Sequence, residues 1–175
     1  MNVVISAIEG EFRRYKTLAE SALAQLSDDE LGRRSGNGNS VAILLQHVGG
    51  NLRSRFSEFL TSDGEKPWRD RETEFADRNL TRPEILAIWE SGWSELLAAL
   101  GTLRDDQLES KVSIRGVQLS VIEALTRSLA HTSYHVGQVV FVAREIRGAE
   151  WQFLSIPPGG SAAYNAEPKL EKPPR

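Results

Sequence analysis

The sequence predicts an all-α protein, a four-helix bundle with a small β-hairpin placed before its last helix. Three observations predict it. Four stretches of about twenty residues place apolar side chains at alternating steps of three and four, the period of one helix face. Ser/Thr-x-x-Glu capping boxes stand before two of those stretches. Only one short segment alternates as a strand would.

The elements follow in chain order. Ile5, Ile8, Phe12, Tyr15, Ala19, Ala22 and Leu26 form the stripe of a first helix. Ser27-Asp-Asp-Glu30 has capping-box form and predicts a short helical turn. The run GRRSGNGN reads as a loop, because glycine and asparagine favour turns. Ser40 caps a second helix with Val41, Leu45, Val48, Leu52, Phe56 and Phe59 as its stripe. The stretch TSDGEKPWRDRETEF breaks that pattern and predicts a long polar connection. Thr81-Arg-Pro-Glu84 then combines a capping residue, an early proline and an acid at the third helical position. Ile85, Trp89, Gly92, Leu96, Ala99 and Leu103 continue that helix, and Trp89 and Trp93 fit its core positions.

Between Lys111 and Leu119, alternation around Arg115-Gly116 predicts the hairpin. Ser120-Val-Ile-Glu123 opens the last helix, whose stripe runs from Ile122 through Leu125, Leu129, Thr132, Val136, Val139 and Ala143 to Ile146. Gly148 stands where that helix should stop. The tail beyond it is rich in proline and glycine. Trp151 to Ile156 is apolar enough to pack, and the last residues are expected to fray.

Composition bounds the function. A chain of 175 residues suits one domain with a real core. Its net charge of −3 and pI near 5.7 argue against a broad nucleic-acid footprint, which needs a basic surface. Cysteine is absent, so thiolate ligands and a cysteine nucleophile are excluded; any thiol chemistry must use sulfur from a bound molecule. The opening residues lack the basic and apolar regions of a signal peptide, and no apolar run approaches membrane-spanning length. A cytoplasmic protein without a membrane partner is the expectation.

Histidine is the scarce residue. Only His47, His131 and His135 occur. His131 and His135 are four apart on the last helix, so they share a face about 6 Å apart and can reach one ion. They fall roughly 90–130° from the centre of the apolar stripe, and His47 falls roughly 120° from its own. That places all three at the flank of a bundle, within reach of water. Three imidazoles would leave at least one position of a tetrahedral zinc open. The plainer alternative stands beside this one: His47 as an ordinary boundary residue, and the pair as two neighbours on a helix face. Three imidazoles suit zinc, nickel, copper or iron; zinc is the leading expectation and nickel the second.

The segments LLQHVGGNLRSRFSEFLTSDGEKPWRDRETEF and LAHTSYHVGQVVFVAREIRGAEWQFLSIPPG resemble a bacterial branch of the DinB-like superfamily, related to YfiT-type and bacillithiol- or mycothiol-transferase proteins. The similarity runs from Val4 to about Asn165 and is most specific in the histidine-bearing helices, the DGEKPWRDR loop and the LSIP tail. The resemblance implies a DinB-like four-helix bundle over residues 1–165, with 166–175 as a frayed tail. It implies a divalent metal held by one histidine of the second helix and a His-x-x-x-His pair of the last; those positions match His47, His131 and His135. Homodimers are common in that superfamily, so a homodimer is expected, and no nucleic-acid partner is.

The expected chemistry is transfer of a low-molecular-weight thiol to a small-molecule electrophile, since a cation at the open position favours thiolate. Metal-assisted hydrolysis ranks lower, because HTSYH lacks the glutamate of a His-Glu-x-x-His hydrolase. A metal-binding or structural bundle without turnover is the third reading. Asn51, Arg127, Tyr134 and Gln138 are the substrate-contact candidates, each also readable as a bundle-edge residue; Asn51 and Gln138 could instead orient a ligand. Lys66, Arg69 and Arg71 could receive an anionic thiol's carboxylates, or belong to a solvated loop balanced by Glu65, Asp70 and Glu72.

Overall fold

The computed structural model describes residues 2–171. It is mostly helical, and the caps read from the sequence at Ser27, Ser40, Thr81 and Ser120 start four of its helices. The long helices are α1 (Val3–Leu23), α3 (Val41–Phe56), α5 (Arg82–Thr102) and α6 (Val121–Arg147); α2 (Asp28–Leu31), α4 (Arg71–Glu74) and α7 (Ser161–Ala166) are short. In three capping boxes the backbone N–H of Ser27, Thr81 and Ser120 donates to Glu30, Glu84 and Glu123 at 2.8, 2.8 and 2.6 Å. The α1 start is tied to a distant loop: Asp105 accepts the N–H groups of Val4 and Ile5, each at 3.0 Å. Gly148, at φ 53°, ends α6 as expected.

The four long helices pack in pairs, α3 on α5 and α1 on α6, and α3 also meets α6. Their predicted stripes meet in one core: Phe12, Leu45, Leu52, Trp89, Trp93, Leu96, Leu125 and Val136 are each no more than 1% exposed. The α3–α5 crossing is unusually close. A Cβ on Gly92 would lie 2.2 Å from the Gly49 carbonyl oxygen, and one on Gly49 would lie 2.6 Å from that of Ile88. Glycine on both helices is what lets the backbones touch. Trp89 sits beside that contact, with its indole N–H donating to Glu20 at 3.1 Å.

Strands β1 (Lys111–Ile114) and β2 (Val117–Ser120) pair antiparallel, with Ile114 opposite Val117. The turn residues Arg115 and Gly116 both have positive φ, 56° and 74°, as a type I′ turn requires. Asp63 holds this turn from outside. Its carboxylate accepts the N–H groups of Arg115 and Gly116 at 2.8 Å each, the Ser113 hydroxyl at 2.6 Å and the Glu65 N–H at 2.7 Å. The Ser113 hydroxyl and these backbone donors hold the Asp63 carboxyl well below the usual carboxylate range.

One segment differs from expectation. The connection after α3 is not a solvated loop: it contains α4, and Lys66 and the Arg69 side chain are 6% and 2% exposed. Lys66 donates to the Asp63 carbonyl at 2.7 Å, so local backbone replaces its water. The start of the tail packs as its apolar residues suggest. Trp151 and Leu154 pack on the core, α7 follows, and the Tyr164 hydroxyl accepts the N–H groups of Lys169 and Leu170 at 3.1 and 2.7 Å. Of the tail expected to fray, residues 172–175 lie outside the described part. No helix among the described residues is long and apolar enough to cross a membrane.

Candidate metal centre

The histidines come from two neighbouring helices, His47 from α3 and His131 and His135 from α6. Because α3 packs against α6, the i,i+4 pair meets His47 across the contact. Ring centroids are 5.2 Å apart for His47–His131, 4.7 Å for His47–His135 and 4.6 Å for His131–His135. One ring nitrogen from each lies within 4.8 Å of the others, so the triad could hold a metal ion. The Nε2 atoms of His47 and His131 are 3.3 Å apart. A tetrahedral ion with bonds of about 2.0–2.1 Å sets two ligand nitrogens about 3.3 Å apart, so this separation fits the donor set.

The protonation pattern fits as well. Glu74 Oε2 lies 2.9 Å from His47 Nδ1, which places the proton on Nδ1 and leaves the Nε2 lone pair facing the other rings. Gln138 Oε1 lies 2.8 Å from His135 Nδ1 and does the same for that ring. His131 Nδ1 is buried and has no partner among the described residues. Burial, followed by the neighbouring His135 and His47, pushes His131 down to about 4. Burial likewise lowers His135. Both are therefore neutral at pH 7, the form that binds metal.

Glu74 is itself anchored. Arg69 grips it with two bonds of 2.8 Å, Nε to Oε1 and Nη2 to Oε2. Burial opposes its charge, yet Arg69 first and His47 second outweigh that and keep its carboxyl below the ordinary range. Gly50 makes room: a Cβ there would lie 2.3 Å from Glu74 Oε1. Phe75 then lies over His47, centroids 4.5 Å apart. This lid corrects the flank position expected for His47, which is only 3% exposed because the segment around α4 folds over it. Water reaches the triad from the α6 side, where His131 and His135 are half-buried.

A cavity of about 390 Å³ opens beside the rings. Asn51 and Arg127 line it. Tyr134 and Gln138 do not: Tyr134 is 64% exposed and lies against His135 from outside, and Gln138 spans the two, its amide donating to the Tyr134 hydroxyl at 3.3 Å. Of the loop cations, Arg69 and Arg71 reach the cavity wall and Lys66 does not. Sequence reasoning missed Glu74, Phe75 and Ser128. Glu74 is one of several acids in the loop, and nothing in its spacing singles it out.

The family model described as "Protein of unknown function (DUF1572)" matches residues 2–160, and the chain belongs to that family. No curated protein matches the chain.

Proposed function

We propose that this member of the DUF1572 family is a divalent-metal protein of DinB-like type that transfers a low-molecular-weight thiol to a small electrophile. In this reading residues 1–165 are one four-helix-bundle domain and 166–175 its tail. The observation that carries the proposal is the convergence of three imidazole nitrogens beside a cavity, two of the rings held with their Nε2 lone pairs turned inward. Zinc fits three imidazoles with a position left open, and nickel is second. When bound, the cation supplies Lewis acidity, which favours the deprotonated form of a thiol.

His47, His131 and His135 hold the ion and are not bases. Glu74 and Gln138 keep two of those rings in the ligating tautomer. Phe75 covers the His47 side, so a reactant enters from the cavity. The reaction is a substitution: the thiol proton passes to solvent, a sulfur–carbon bond forms, and the leaving group departs with its bonding pair. Hydrolysis is less well supported, because no carboxylate lines the cavity and Glu74 is held by Arg69 and His47. A homodimer belongs to the same proposal, since α6 leaves Tyr134 and Phe141 64% and 61% exposed. Sedimentation at micromolar concentration should then return twice the 19.4 kDa chain mass.

Activity is tested with N-acetylcysteine and monochlorobimane, following the fluorescent conjugate. Zinc-loaded protein should exceed the uncatalysed rate, and chelation or His131→Ala should abolish the excess. Background rates from protein that carries one zinc per chain would reject thiol transfer.

A further inference from the structure

The cavity wall is chemically lopsided. Five arginines line it, Arg55, Arg69, Arg71, Arg115 and Arg127, and no carboxylate does. Among the described residues, three carboxylates meet these guanidiniums behind the wall. Glu65 serves both Arg55 and Arg115 at 3.1 and 2.9 Å, Glu74 serves Arg69, and Glu72 lies 3.4 Å from Arg71. Arg127 has no ion pair or side-chain hydrogen bond among the described residues. It stands on α6 four residues, or about 6 Å, before His131.

Two neutral polar groups are also left without partners on the same wall. Ser128 is 8% exposed, and its hydroxyl is buried with no hydrogen bond. The Asn51 amide makes none either among the described residues, and it stands one turn beyond His47 on α3. A buried hydroxyl without a partner is costly, and a ligand that hydrogen-bonds to it removes the cost. Apart from the three histidines, the rest of the wall is apolar. Phe56 and Phe59 form one side and Leu119 and Val117 of the hairpin another, with Val117 61% exposed at the rim.

We infer that this cavity takes an organic carboxylate with an apolar body, the carboxylate received by Arg127, Ser128 and Asn51, and the body lying between Phe56, Phe59 and the hairpin. A guanidinium without a partner matches a planar carboxylate, and two phenyl rings beside it match hydrocarbon. A volume of about 390 Å³ suits a small molecule. The inference rests on the reading of the cavity as the substrate site and names the substrate's class; it does not depend on the identity of the metal.

Calorimetry with 4-phenylbutyrate and its neutral counterpart 4-phenylbutyramide tests this on the full chain. Titrating chelated protein keeps the ion out of the comparison. The carboxylate should bind at least tenfold tighter than the amide. Arg127→Gln should remove that preference and leave amide affinity within twofold. Arg127 is exposed, so the variant should keep its helical circular dichroism, and Ser128→Ala provides a second variant with a threefold to tenfold loss for the carboxylate alone. Equal affinities in the wild type, or a preference that survives Arg127→Gln, would overturn the inference. A separate zinc titration distinguishes the two claims: a carboxylate preference without zinc binding defeats the metal reading alone, and zinc binding without the preference defeats the inference alone.

Discussion

Gly50→Ala probes the centre from behind. The added methyl carbon would lie 2.3 Å from Glu74 Oε1 and 2.9 Å from its Cδ. Both atoms are at the end of a flexible side chain, so the carboxylate swings aside and α3 stays intact. Displacement breaks the bonds to His47 and Arg69, at 2.9 and 2.8 Å. Losing a charge-assisted hydrogen bond of this kind costs about 1.5–3 kcal/mol. Alanine in place of a mid-helix glycine offsets about 0.5–1 kcal/mol of that. The metal-free variant should therefore melt a few degrees lower, at about 2–4 °C per kcal/mol for a chain of this size. Metal affinity should fall more, about 10–100-fold, the usual effect of removing the partner of a ligating histidine. Competitive titration of zinc against a fluorescent chelator measures the second effect and calorimetric melting the first. Wild-type zinc affinity in Gly50→Ala, with a raised melting temperature, would show that Glu74 does not fix His47.

Three further outcomes follow from the same structure. Gly92→Ala should destabilise the fold by about 3 kcal/mol in urea titration, because its methyl meets the Gly49 backbone and not a movable side chain; an unchanged midpoint would contradict the close crossing. Asp63→Asn should lower stability at pH 7 by less than the about 1–3 kcal/mol of a buried group, because solvent screens this carboxylate. Because the folded pKa of Asp63 is depressed, its contribution is present above the unfolded value of about 3.9 and fades as pH falls through the folded value. The variant should therefore lose less stability than wild type on acidification below pH 4, and parallel acid limbs would refute that role. Chelating a bound ion should lower the melting temperature, since free metal at a hundred times its dissociation constant adds about 2.7 kcal/mol of stability; scanning calorimetry with and without chelator reads this, and no shift would count against a bound metal.

Much of this was legible in the chain because its signals are local. The caps at Ser27, Thr81 and Ser120 and the stop at Gly148 act within one helical turn, and each marks an observed boundary. The spacing of His131 and His135 puts both on one helix face, from which they can reach one point. His47 needed the additional fact that α3 packs on α6, which no local pattern contains. The surroundings of the centre were not legible. Glu74 follows His47 by 27 residues and lies in a segment with no helical or strand period. Its burial is set by Arg69 and by the space at Gly50, both of which are contacts made only in the folded chain. The packing of the tail's start was legible in its apolar residues, Trp151 to Ile156, while the bonds that the Tyr164 hydroxyl accepts beyond it carry no local pattern.

In the function proposed, three imidazoles from two helices grip one divalent ion. Equilibrium zinc titration of untagged protein, followed by elemental analysis, tests it most directly. Wild-type protein should bind one zinc per chain, and His47→Ala, His131→Ala and His135→Ala should each lose tight binding. No zinc in the wild type, or full binding retained when any one of the three is removed, would contradict it.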